Sequence, residues 1–418
     1  MCEETELFVG IDICEDFVQL TYYDIETGAP ESVSRDGGEE QYLIPARLAY
    51  RKKKNDWIIG DGLDNEDPDE IAEVKNFFKI ITNVEKINVY GNVFEADKLM
   101  AIFIECLLKI LHSYCSFMEI GCIGITFPVV TRDISAMLDS AFRELGISKD
   151  RYLLLNHDES FLHYTLNQPP ELWSNDTALF ELEDDGLHFR ILSIDKKLEP
   201  MIAKINRHEK AETLTTDLVR RSKNESVNMF YTLSLMALEE SVVSTIYAVG
   251  RGFMDNWADG ILRKLSPGRR VFRGQNLYAK GCCLAARKPA YDEKESAIFM
   301  GDDTTTAGYS IFAVKDGKNR EISLMKPSVR WYEAEAELDV IMKCESELGV
   351  QRKDYTTGKT ERKFISLSGV NGAESRMTRI RLTLKFKDRD TCIIKASDLG
   401  FGSFVPTTNR VWELIWEK

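Results

Sequence analysis

Acidic residues gather at two places where apolar runs turn back on each other. Asp12, Cys14, Glu15 and Asp16 lie at the junction of the runs 7–13 and 17–23. Glu181, Glu183, Asp184 and Asp185, followed by Gly186, sit between two runs rich in Phe, Leu and Ile within residues 178–194. Carboxylates at this density could hold Mg or Ca through oxygen ligands, although no spacing here matches a known calcium loop. Asp12 stands between Ile11 and Ile13, and a half-buried carboxylate needs a partner. It is either a cleft residue or a sheet-end acid paired with a turn amide. The five histidines are scattered, and no Ser-His-Asp or Cys-His arrangement follows from their positions. The nine cysteines contain no CxxC pair, which fits neither a disulfide framework nor a zinc site. Most lie in apolar runs, among them Cys106, Cys115, Cys122 and Cys392, where a thiol behaves as a small hydrophobe. The adjacent Cys282 and Cys283 read as helix-packing residues, and a reducing cytoplasm is the expected location.

Both acidic clusters read as turns of β-hairpins with alternating apolar positions. Between them the chain alternates strands and helices. Short strands are expected at 42–45 and 56–61, a helix over 69–81 opened by Pro68-Asp69-Glu70, and a long buried helix over 94–114. A strand over 120–127 is closed by Pro128. Thr131-Arg132-Asp133 opens a helix that stops at Gly146, and a strand over 152–155 turns into a short helix at Asn156-His157-Asp158-Glu159. After the second hairpin come helices near 210–222 and 226–240, a strand over 245–249 ending at Gly250, a helical segment over 253–265, and a small-residue helix over 276–286. This is the grammar of an α/β chain with helices packed on mixed sheets.

The chain has 418 residues, 44% hydrophobic and 29% charged, with a formal net charge of -14. That length suits two or three domains. The acidic balance argues against nucleic acid or an anionic membrane as the main partner. There is no apolar signal segment at the start, and the greasiest stretch, 99–111, is broken by Glu105 and Lys109, so no membrane span is expected. The acidic excess lies mainly before residue 295. Beyond 296 the pattern changes to short strands with turns at Asp316-Gly317, Lys326-Pro327 and Lys387-Asp388, which predicts a β-sandwich.

The order of these elements resembles the superfamily of actin, sugar kinases and the seventy-kilodalton heat-shock chaperones. GIDICEDF at 10–17 looks like that family's first phosphate loop, and FELEDDGLHFRIL at 180–192 like its second. GITFPVVTRDISAMLDSAFRELGI at 124–147 and LNHDESFLHY at 155–164 are similar to its strand-helix and connecting elements. VGRGF at 249–253 and AKGCCLAA at 279–286, with Gly250 and Gly281, look like the adenosine element and its following helix. The resemblance to the chaperone branch is strongest. Lys75 falls where chaperones keep a phosphate-facing lysine, although on its own it reads as a solvated helix residue. The implied fold class is α/β: two actin-like, ribonuclease H-like half-domains with mixed sheets at 1–170 and 171–290, then an all-β sandwich domain at 296–418.

The departures from the family decide the functional expectation. Phosphate loops need glycines and hydroxyls, so that backbone N–H groups reach phosphate oxygens and no negative side chain intervenes. Here Cys14, Glu15 and Asp16 replace the first loop, and Glu183, Asp184 and Asp185 replace the glycines of the second. The resemblance places Asp12, Glu159 and Glu181 at the family's metal-linked and water-orienting acids. Like charges about 4 Å apart cost on the order of 1–4 kcal/mol per pair, so a triphosphate is disfavoured. The segment between 192 and 249 is also too short for the lobe that closes over adenine in the chaperones. The expected function is a non-catalytic, cytoplasmic pseudo-ATPase that binds a protein or peptide partner, with no cofactor. The alternatives are a nucleotide-dependent chaperone that uses ATP and Mg through altered loops, and an actin-like protein that forms filaments. The oligomeric state and the partner's identity stay open.

Overall fold

A computed structural model of the chain describes residues 6–34, 41–115, 119–208, 210–291, 296–343, 347–368, 377–403 and 405–417. It is mixed α/β with several sheets. The chain divides into two compact units, residues 1–194 with 205–295, and residues 195–204 with 296–418. Among the described residues no helix is long and apolar enough to cross a membrane.

In the first unit, β1 (Glu6–Ile13) is buried over all but its first residue, because its apolar side chains on both faces must be covered. It pairs antiparallel with β2 (Phe17–Asp24), which in turn pairs with β3 (Ala29–Ser32). On its other side it pairs parallel with β4 (Glu119–Phe127), and β4 pairs parallel with β5 (Tyr152–Asn156). The order is therefore β5-β4-β1-β2-β3. A second sheet repeats it. β6 (Asp176–Glu183) and β7 (Gly186–Asp195) form the antiparallel hairpin, β8 (Met201–Arg207) follows β7, and β9 (Val243–Val249) and β10 (Arg270–Arg273) add in parallel on the far side of β6. The order is β10-β9-β6-β7-β8. Each sheet has its own core, the first rich in Ile, Leu and Phe from β1, β4 and neighbouring helices, the second built on Phe180, Phe189, Phe230, Phe253 and Trp257.

The helices that cover these sheets begin and end where local chemistry allows. α1 (Phe77–Asn83) is short, whereas α2 (Ala96–Tyr114) is amphipathic and long. The Thr131 hydroxyl accepts the Ile134 N–H to open α3 (Arg132–Glu144), and Gly146 beyond its end has φ of 71°. α4 (His157–Leu166) starts in a full capping box. Asn156 accepts the Glu159 N–H, and Glu159 accepts the Asn156 N–H. α5 (Thr216–Arg221), α6 (Lys223–Leu238) and α7 (Asp259–Leu265) precede α8 (Leu277–Arg287), nine of whose residues are buried.

One expected helix is replaced. Over 69–81 the chain instead forms a strand, Ile71–Glu73, beside Leu48–Arg51, and only then α1. The strand wins because Leu48–Arg51 offers it a pairing edge and Arg47 donates to Glu73 at 2.9 Å. Asn76 in the left-handed conformation, φ 57°, then redirects the chain into α1.

In the second unit two four-stranded antiparallel sheets share one core. One holds Ala307–Lys315, Lys318–Met325, Glu347–Asp354 and Thr360–Ser366, the other Glu335–Lys343, Met377–Asp388, Thr391–Gly400 and Val411–Glu417. Tyr309 meets Trp416 edge-on, with ring centroids 5.9 Å apart. The start of β8, up to residue 204, belongs to this second unit, and there Met201–Ala203 pairs in parallel with Ala297–Phe299.

Asp354, 2% exposed, holds a loop of this unit by accepting from Thr356 N–H (2.9 Å), Thr356 hydroxyl (2.6 Å), Thr357 N–H (3.0 Å) and Arg352 (2.9 Å). Burial pushes its carboxyl up, but these donors win and lower it from 3.8 to about 2. A lowered carboxylate stabilises the fold above its unfolded value and loses that contribution as pH falls. From about pH 4 to about pH 2 the unit is expected to lose about 2 kcal/mol through this group. Urea midpoints across that range should show Asp354→Asn already weaker at neutral pH, with its deficit narrowing on acidification. A constant deficit would contradict this origin.

Candidate functional site

Most of the residues flagged in the sequence converge on a cleft of about 580 Å³ at the carboxyl ends of β1, β4, β6 and β9. Crevices at the carboxyl ends of parallel strands are where open α/β sheets place ligands. Asp12, Cys14, Glu15 and Asp16 line it from the first hairpin, and Glu181, Glu183, Asp184 and Asp185 from the second. Gly250 lines it as well, with φ of 93°. A side chain there would meet the Leu182 carbonyl at 2.6 Å, so glycine is what lets the end of β9 press against β6.

Three positions suggested by the resemblance lie elsewhere. Lys75 is exposed just before α1 and is not among the lining residues. Glu159 is committed to the cap of α4. Gly281 serves packing: a Cβ on it would lie 1.9 Å from the Ser160 carbonyl, so α8 crosses α4 at backbone contact.

The repulsion expected among the acidic turns is relieved by a residue that the charge argument left out. Arg251 follows Gly250, and its guanidinium reaches Glu183 at 2.8 Å, Asp184 at 3.0 Å and Asp16 at 3.1 Å. Its backbone N–H also donates to Glu183, at 3.1 Å. One arginine thus ties the tips of both hairpins together. Asp184 further accepts from the Thr216 hydroxyl, and Asp185 contacts His188 at 3.0 Å and Lys210 at 3.2 Å. Burial leaves the Glu183 carboxyl raised, with Arg251 partly offsetting it.

Deeper in, Arg190 is the hub of a buried network. It donates to Glu181 at 2.6 Å and lies 3.1 Å from Asp158, which also accepts from Arg207 at 2.7 Å. Burial would raise the Glu181 carboxyl, but Arg190 and His157 bring it below the ordinary value. The hairpin register explains the first pair: Leu179 faces Arg190 and Glu181 faces His188, so Arg190 is the diagonal neighbour of Glu181 on the same face.

Asp12, 1% exposed, meets a third group absent from the sequence reading. His157, the first residue of α4, places Nε2 at 2.8 Å from Asp12 Oδ1, and Cys14 Sγ lies 3.7 and 3.8 Å from the two Asp12 oxygens. Tyr278 of α8 stacks on the imidazole, with centroids 3.7 Å apart and planes 14° from parallel. Asp12 and His157 lie 145 residues apart in the sequence, so only the fold reveals their proximity.

Residues 29–302 match the family described as "Family of unknown function (DUF5716) C-terminal". The chain belongs to that family. The matched range carries the second hairpin, Arg251 and α8, while β1 and the first acidic turn precede it. Residues 304–416 match "Domain of unknown function (DUF8552)", a range that falls inside the second unit. No curated protein matches the chain.

Removing the arginine tests whether it compensates the turns. Arg251→Met is expected to lower stability by about 1–2 kcal/mol, most of it from the half-buried Glu183, because the Asp16 and Asp184 arms are more than half exposed and screened. Urea unfolding at low and high salt checks this. The deficit should shrink below the raised Glu183 value, where that carboxyl is protonated. A deficit independent of pH would contradict it.

Proposed function

We propose that this chain is a non-catalytic relative of the actin, sugar kinase and heat-shock chaperone superfamily, and that it works as a protein- or peptide-binding scaffold. The shared strand order of the two sheets, and the two hairpin turns facing one cleft, support the actin-like reading of the first unit. The single observation that carries the loss of nucleotide chemistry is the Glu183–Arg251 contact. The Glu183 carboxylate already takes both the backbone N–H and the guanidinium of Arg251, which are the donors a phosphate would need there. A phosphate entering the cleft would have to displace that carboxylate and then sit beside it. Binding of the partner falls to the surfaces of the folded chain, with the antiparallel sheets of residues 296–418 as the first candidate.

A thermal-shift screen of the full chain against adenine nucleotides, with and without magnesium, tests the first half of the reading. No rise in Tm at saturating nucleotide is expected. A peptide array probed with the same chain tests the second half, where binding to a defined peptide class is expected and silence on every peptide would contradict it.

A further inference from the structure

We propose that Asp12, Cys14 and His157 form a binding site for a zinc-class divalent metal. Their three donor atoms, one oxygen, one sulfur and one nitrogen, lie within 4.8 Å of one another. Zinc bonds of roughly 2.0–2.3 Å in a tetrahedral arrangement put ligand atoms about 3.3–3.6 Å apart. Cys14 Sγ and Asp12 stand at 3.7 and 3.8 Å, and Asp12 and His157 Nε2 at 2.8 Å, so the first pair has to close by a few tenths of an ångström and the second to open by about half an ångström. Asp12 and His157 are held on rigid elements, β1 and the first turn of α4, and Tyr278 fixes the imidazole plane. Thiolate and imidazole select zinc and its neighbours over Mg and Ca, which prefer oxygen donors. This site is therefore different in kind from a nucleotide-bound magnesium, and it stands whether or not the actin-like reading holds.

The surroundings supply a second, independent observation. The hydroxyl of Tyr278 and Oδ1 of Asn276 are buried, line the same cleft and have no hydrogen-bond partner. A buried polar atom left without a partner is costly, which points to a polar occupant. The two deeper carboxylates of the second hairpin are engaged, Glu181 by Arg190 and Glu183 by Arg251. Three protein ligands with a fourth position facing a cleft is the pattern of zinc sites that keep a water or a substrate atom on the metal. Binding releases the Cys14 thiol proton and leaves the Nε2 lone pair on the metal, with the imidazole proton on Nδ1. The dication is then balanced by one carboxylate and one thiolate.

The test is metal analysis and zinc titration of the full chain after chelation, beside Cys14→Ser and His157→Gln. Wild type is expected to take up about one zinc per chain and to gain thermal stability on adding it, with affinity falling by more than about 100-fold in each variant. Cobalt substitution of the wild type should give a thiolate-to-metal charge-transfer band, a readout independent of how well the variants fold. Uptake equal in all three chains, no uptake by the wild type, or cobalt binding without that band would overturn the site.

Discussion

Replacing Arg190 by methionine should cost about 3–5 kcal/mol, the largest loss expected from any single substitution in the first unit. The guanidinium is 12% exposed and lies against two carboxylates, Glu181 and Asp158, that are themselves 12% and 7% exposed. Methionine fills the same volume but leaves Glu181 without its partner and Asp158 with only Arg207. The pH dependence identifies the cause. Glu181 is lowered in the intact fold, so its contribution is present above the ordinary carboxylate value and is lost as pH falls. Without Arg190 burial raises that carboxyl instead, so the variant's deficit should be greatest at neutral pH and shrink toward acid as Glu181 takes up a proton. Denaturant unfolding of both chains at several pH values checks this. A deficit that stays constant with pH would mean that lost packing, not the buried charges, dominates.

Gly281→Ala is expected to destabilise by about 3 kcal/mol, through overpacking where nothing flexible can yield. An added Cβ would lie 1.9 Å from the Ser160 carbonyl oxygen, which belongs to the backbone of α4. The helix has no room to retreat, because its other side is seated on glycines of the sheet. A Cβ on Gly10 would lie 2.1 Å from the Ala279 carbonyl, and one on Gly124 2.6 Å from the Cys282 carbonyl. Thr21 adds a hydrogen bond to the Ala279 carbonyl at 3.0 Å. Helix propensity runs the other way, since alanine is favoured over glycine by about 1 kcal/mol in a helix interior. A stabilised variant would therefore show that α8 is free to shift. Thermal unfolding distinguishes the two outcomes directly.

The elements that could be read from the sequence are those whose own residues enforce them. The hairpins of β1-β2 and β6-β7 follow from alternation and from a turn that Gly186 permits at φ 135°. The limits of α3 follow from Thr131 and Gly146, and the start of α4 from Asn156 and Glu159. Elements that depend on a distant partner were not legible. Ile71–Glu73 becomes a strand only because Leu48–Arg51 lies beside it, and Glu347–Asp354 is polar enough to pass for a loop until its two neighbouring strands pair with it.

The same division runs through the site. Asp12, Cys14 and the acids of both turns could be picked out because they interrupt apolar strands or crowd a turn. His157 and Arg251 give no such signal: one is a capped helix start and the other a residue between two glycines, and their roles arise only when β1, β6 and β9 bring their carboxyl ends together. Arg190 was accessible in principle, through the diagonal of the second hairpin. Counting the carboxylates without that guanidinium or Arg251 overstated the repulsion in the cleft. The cleft is acidic in composition but largely paired in fact.

We propose that the cleft has exchanged phosphate for the protein's own carboxylates. Calorimetric titration of the purified full chain with MgATP and MgADP tests it most directly. The account predicts no heat of binding up to millimolar nucleotide. Binding in the micromolar range would contradict it, since Glu183 would then have to leave Arg251 and the acidic turns would have to accept a polyanion.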